Sequence, residues 1–205
     1  MRRNKNFKRL VIFLTAAIMV LSVASVVNAD FFDFESNDGG WVPTADWDPV
    51  GDWEYTDSYD VINYVGSHTP PPNAYSGDGL WGTVIYDDYT NAGGTNYLSQ
   101  TFDWSGVAPA DARLSFYEWV DIFGSFDYGQ VFVNGVQEYY VDTYNPTAWQ
   151  YVDLDLSAYA GLSSVEIEFA LYTTTVVEYA GFSCVCLLFV YSFFRLFLFL
   201  MMKQQ

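Results

Sequence analysis

The segment Gln130-Val131-Phe132-Val133-Asn134-Gly135-Val136-Gln137-Glu138-Tyr139-Tyr140-Val141 constrains the fold more than any other part of the chain. Asn134-Gly135 accepts the two positive φ angles of a type I′ turn, and β-forming residues flank it, so the segment predicts a tight β-hairpin. The same logic recurs elsewhere. Leu114, Phe116, Glu118 and Val120 alternate with Ser115, Tyr117, Trp119 and Asp121. Val165, Ile167, Phe169 and Leu171 alternate with Glu166, Glu168 and Ala170, which puts both glutamates on a wet face. Within 149–156, Val152, Leu154 and Leu156 point one way. A period of two marks half-buried strands, and helical periodicity is nearly absent. Further strands are expected at 31–35, 80–86 and 97–102. Residues 67–73 are expected to be loop, because the run Pro70-Pro71-Pro72 cannot donate to a ladder. About eight to twelve short strands in one domain close most simply as a two-sheet antiparallel β-sandwich.

The two ends have a different composition. Arg2, Arg3, Lys5, Lys8 and Arg9 form a basic head before the apolar run from Leu10 to Met19, and Val27-Asn28-Ala29 supplies small residues at a cleavage site. Residues 1–29 therefore read as an export signal removed before Asp30. Residues 182–205 contain no acid, carry both cysteines (Cys184 and Cys186) and are apolar over most of their length. Two readings stand for them: a membrane anchor of about the right length, or a last strand lost to a frameshift or truncation near residue 182. The body at 30–181 is then one domain, exported to the extracellular space or cell surface, with any membrane contact made through the tail.

Arg113 is the only Lys or Arg between residues 30 and 181, against all 25 carboxylates of the chain, a formal charge of −24. Such a surface repels phosphate backbones and excludes nucleic acid as a partner. It is not the composition of a disordered acidic segment: 20% of the chain is aromatic and 51% apolar, enough to build a core. The body has no cysteine, so core packing, or a metal, must hold it.

Phe34-Glu35-Ser36-Asn37-Asp38-Gly39-Gly40-Trp41 resembles the opening motif of MAM-like jelly-roll domains. The later segments Gly79-Leu80-Trp81-Gly82-Thr83, Asn96-Tyr97-Leu98-Ser99-Gln100-Thr101-Phe102-Asp103, Leu114-Ser115-Phe116-Tyr117-Glu118-Trp119, Asp127-Tyr128-Gly129-Gln130-Val131-Phe132-Val133-Asn134-Gly135 and Trp149-Gln150-Tyr151-Val152-Asp153-Leu154-Asp155-Leu156 keep the order of that pattern. Together they resemble the sandwich domains that accompany secreted immune-inhibitor-A-type (M6) metallopeptidases. The resemblance implies an all-β jelly roll of the concanavalin/MAM-like kind with a calcium site near its first strand. By that match Glu35 is the leading ligand, with Asp33 and Asp78 as partners. The family's last strand carries a D-D pair that this chain replaces after Gly181, which puts the site in doubt.

Metallopeptidase chemistry needs H-E-x-x-H, and His68 is the only histidine; a Ser-His-Asp relay fails on the same ground, since a proline-rich loop offers His68 no evident partners. Glycosidase chemistry needs only two carboxylates, so it stays open as a carbohydrate-active hydrolase on a sandwich fold. The leading expectation is a non-catalytic module that recognises extracellular protein or glycan, with calcium as its stabilising ion. Trp81, Trp119 and Trp149 are expected in the core. Trp41, Trp47 and Trp53, in a poorly patterned stretch, are the expected sugar-stacking platform.

Overall fold

The computed structural model describes residues 30–187 except 48–50, 144 and 177–178. Residues 1–29, expected to be an export signal, and residues 188–205 of the tail lie outside the described residues. Among the described residues, ten strands run in the order β1 (Val42–Ala45), β2 (Trp53–Thr56), β3 (Leu80–Thr83), β4 (Gly94–Phe102), β5 (Arg113–Asp121), β6 (Tyr128–Val133), β7 (Val136–Val141), β8 (Asn145–Asp155), β9 (Val165–Thr173) and β10 (Gly181–Leu187). They form two five-stranded sheets, ordered β1-β4-β9-β6-β7 and β2-β3-β10-β5-β8, with every neighbouring pair antiparallel. The chain is an all-β two-sheet sandwich. No helix among the described residues is long and apolar enough to cross a membrane.

The hairpin sits where the sequence puts it. Asn134 and Gly135 hold φ of 50° and 76°, the positive pair a type I′ turn demands, between β6 and β7. Val165, Ile167, Phe169 and Leu171 of β9 are fully buried between the sheets, and Phe169 meets Phe116 of β5 edge to face at 5.0 Å and Trp41 at 5.5 Å.

Three expectations need correction. Residues 31–35 are not a strand: Phe34 takes a φ of 59°, and its ring is buried under Tyr55. β3 stops at Thr83 because Val84 turns to a φ of 48°. The sandwich does not end at residue 181. β10 runs on to Leu187 between β3 and β5, with Phe182 fully buried against Trp53 at 5.8 Å. The outer face of β5 is covered. Ser115, Trp119 and Asp121 are buried because residues 57–79 lie over the second sheet. This strap is pinned by the Trp119 indole donating to the Thr69 carbonyl (2.9 Å), the Trp149 indole donating to the Asn73 carbonyl (3.1 Å), and the Thr69 N–H donating to Asp121 (2.7 Å). Pro71 accepts from the Tyr59 hydroxyl at 2.6 Å, a role that needs no N–H. Trp81 and Trp119 are buried and Trp149 half-buried, as indoles of a core without disulfides.

With so few cations, phenols serve the acids. Tyr64 donates to Asp88, Tyr89 to Asp127, Tyr159 to Glu138, and Tyr139 to Glu118 at 2.5 Å. Burial first, and then the paired carboxylate, push the Tyr64 and Tyr89 hydroxyls well above the ordinary phenol range; burial and the Glu118 charge do the same to Tyr139. The single Arg–carboxylate pair among the described residues is Arg113–Asp153, two-pronged at 2.6 and 3.0 Å on the surface.

Candidate functional site

At the end of the sandwich where β5, β7 and β9 finish, their loops enclose an open cavity of about 700 Å³. It is lined by Ile122, Phe123, Gly124 and Ser125 after β5, Asp142 and Thr143 after β7, Tyr179 after β9, and His68 from the strap. Its aromatic wall is a column of rings stacked in sequence: His68 on Tyr179 (4.1 Å), Tyr179 on Phe123 (5.7 Å), and Phe123 on Phe126 (4.9 Å). Phe126 ends the column and is 53% exposed.

Two buried acids hold these loops. Asp127 accepts from the Thr174 N–H (2.7 Å), the Thr174 hydroxyl (2.9 Å) and the Tyr89 hydroxyl, so one carboxylate ties three loops together. The Tyr89 N–H donates to the Tyr179 carbonyl at 2.8 Å, which sets the second ring of the column. Asp121 secures the strap through Thr69, and burial raises its carboxyl above the usual range.

His68 is better supported than its loop suggests. Its Nδ1 lies 3.0 Å from Asp88 Oδ2, while Asp88 also accepts from Tyr64, from the Ser67 N–H (3.2 Å) and from the Ser67 hydroxyl (3.1 Å). Burial opposes ionisation of Asp88, but these partners outweigh it and hold the carboxyl below its ordinary range. Ser67, His68 and Asp88 do not make a nucleophilic relay. A relay needs the acid on one imidazole nitrogen and the serine on the other. Here Ser67 Oγ (3.4 Å) and Asp88 approach the same nitrogen.

The residues singled out by sequence are placed elsewhere. Trp41 and Trp53 are 3% and 2% exposed, and Trp47 is half-buried, its ring 3.0 Å from where a Cβ on Gly94 would fall. They form no platform: the largest apolar side chains are drawn into the core, Trp41 against Phe102 and Phe169, Trp53 against Phe182. Glu35, Asp33 and Asp78 do come close, but as a backbone clamp. Glu35 accepts from the Asp78 N–H (3.0 and 3.2 Å) and the Gly79 N–H (3.1 Å), and the Asp33 carboxylate accepts from the Glu35 N–H (3.2 Å). Gly77, at a φ of +59°, leaves room for that carboxylate, since a Cβ there would fall 2.0 Å from Glu35 Oε1. Calcium takes six to eight oxygens. Both Glu35 oxygens face amide protons, and no group of three or more His, Cys, Asp or Glu side chains among the described residues is placed to hold a metal ion. The donor set does not fit the ion. Glu35→Ala is expected to cost about 1–2 kcal/mol in urea unfolding by stranding the two amides. Excess Ca²⁺ is expected to leave the wild-type melting temperature at that of a matched ionic-strength control; a rise of several degrees would restore the ion.

No family profile matches the chain. Over 159 residues, 73% of its length, the chain is 29% identical to Bacillopeptidase F of Bacillus subtilis (strain 168), and the match spans 10% of that protein. Among solved structures it is similar in shape to TmCBM61, determined with β-1,4-galactotriose (TM-score 0.43, 14% identity, 74% of this chain and 86% of that one). It is also similar to a carbohydrate-binding module of the β-sandwich superfamily (TM-score 0.42, 12% identity, 81% and 62%). At these levels of identity the likeness concerns the sandwich alone.

Proposed function

We propose that this domain is an exported, non-catalytic binding module that takes a carbohydrate in the loop-end cavity. One observation carries the reading: an open cavity of about 700 Å³ places a pre-stacked column of rings beside the polar side chains of Asp142 and Thr143. Sugars are recognised by that pairing, apolar ring faces against aromatic surface and hydroxyls against a few fixed polar groups. The rings are stacked without a ligand, an arrangement that reduces the ordering entropy lost on binding. Binding without hydrolysis is favoured by the acids present. Asp142 is the one carboxylate lining the cavity among the described residues, whereas glycoside hydrolysis needs two that face each other about 5–9 Å apart. A surface with a charge of −24 directs the choice to neutral chains over uronates or sulfated glycans.

Affinity electrophoresis of the full chain through gels containing galactan or a neutral β-glucan tests this. Retardation is expected with at least one, and Phe123→Ala and Asp142→Asn are each expected to weaken it about tenfold, the equivalent of 1.4 kcal/mol. Mobility unaffected by every neutral polysaccharide, or retardation that survives both substitutions, overturns the proposal. Release of reducing sugar from the gel polymer would favour the hydrolase instead.

A further inference from the structure

The two outer faces of the sandwich differ. Residues 57–79 cover much of the second sheet, while the first sheet bears a row of phenols. Outward alternation on β6, β9, β7 and β4 presents Tyr128, Tyr172, Tyr140 and Tyr97 together. Tyr128 and Tyr172 are directly paired across the ladder and stacked at 4.6 Å and 12°, and Tyr140 leans on Tyr128 at 5.3 Å. Glu166 and Glu168 continue the same face of β9, and burial, followed by the charge of Glu166, holds Glu168 above the usual carboxylate range. No strand of this sheet contains a Lys or Arg. The one described Arg, Arg113, sits on the other sheet and is committed to Asp153.

We propose that this face docks a basic segment of another protein, with Lys or Arg side chains lying along the Tyr128–Tyr172–Tyr140 row and pairing with Glu166 and Glu168. Charge selects the occupant. A second copy of the 30–181 body brings another −24 and is repelled, as is any acidic partner. Glu166 and Glu168 extend the row with charged acceptors and no Lys or Arg stands beside them, a set that favours a cation over a neutral sugar chain. Ammonium and guanidinium groups instead find phenol oxygens and carboxylates as acceptors, and the outer ring faces as cation–π partners. The three strand steps from β7 to β4 span about 14 Å, the reach of about four residues of an extended segment. This inference stands apart from the cavity, which is built from other side chains.

Isothermal titration of the full chain with a synthetic hexalysine peptide tests it, with a neutral hexaose as the second probe. One-to-one binding of the peptide is expected. Tyr128→Leu with Tyr172→Leu removes two rings without changing charge and is expected to weaken binding about tenfold. Glu166→Gln with Glu168→Gln is expected to do the same, while Asp57→Asn with Asp111→Asn, an equal change of charge elsewhere, leaves affinity within about twofold. Equal losses from the two carboxylate pairs, with no effect of the tyrosine pair, would show only general attraction to an acidic domain and overturn the site. Binding of the hexaose at these residues without the peptide would also overturn it. The glutamine pair keeps the test decisive if loss of both tyrosines unfolds the sheet.

Discussion

Glu118→Gln is expected to stabilise the domain at pH 8 and to leave it unchanged at pH 4. Glu118 points into the core from β5, is 3% exposed, and has a single partner among the described side chains, the Tyr139 hydroxyl at 2.5 Å on Oε1; Oε2 has none. Burial pushes its carboxyl from 4.5 to about 7, against the opposing effect of Tyr139. Between those values the unfolded chain has released the proton and the folded chain keeps it. Stability from this group is therefore complete below about 4.5, falls as pH rises, and is gone once pH passes about 7. The difference of two to three units corresponds to about 3 kcal/mol at pH 8. Glutamine has the shape of the protonated acid at every pH and preserves an acceptor for Tyr139, so it recovers most of that amount. Each kcal/mol corresponds to about 2–4 °C in a chain of this size. Thermal unfolding at pH 4, 6 and 8 measures it; the same shift at all three would mean that Glu118 ionisation plays no part.

Asp127→Ala is expected to be the most damaging single substitution near the cavity, at about 3 kcal/mol, because it strands one buried and two half-buried donors together. The Thr174 N–H, the Thr174 hydroxyl and the Tyr89 hydroxyl all lose their acceptor, and the loops after β5 and β9 lose their common anchor. Asp127→Asn separates folding from function. The amide still accepts from one side but turns an N–H₂ toward the other, so the fold survives with a lower melting temperature while Phe123 and Tyr179 lose their stacking geometry. Retardation in polysaccharide gels should then fall more steeply than thermal stability. If Asp127→Asn destabilises without changing retardation, the column is not the binding surface.

The strands were legible because their pattern is local. Asn134-Gly135 announces its own turn, and the inner residues of β9 and β5 follow the period of two over nine residues each. What alternation cannot say is whether a face is covered. The outer face of β5 lies beneath a strap whose anchors, Trp119 to Thr69 and Trp149 to Asn73, join residues 50 and 76 positions apart. The tryptophans were misread for a related reason. Weak patterning around Trp41 and Trp53 suggested exposure, yet β1 and β2 are only four residues each, too short to display a period, and Trp41 just before β1 and Trp53 at the head of β2 both enter the core. The cavity had no local signal at all. Its lining comes from four separated segments, and the partnership of His68 with Asp88 and Tyr179 spans 20 and 111 residues. The charge imbalance was the nearest available clue: carboxylates with no Lys or Arg to meet them had to find phenols and amides, and several of those pairings frame the site.

The phenol–carboxylate pairs set the conditions the protein tolerates. Dissolved ions weaken folds that rely on ion pairs, but a neutral phenol that donates to a carboxylate brings no opposite charge, so the pair has no mutual Coulomb attraction to screen. What ions do screen here is the repulsion among the outward carboxylates, which opposes the compact state. Brine, which loosens proteins built on ion pairs, is therefore expected to tighten this one, with fresh water its harsher medium.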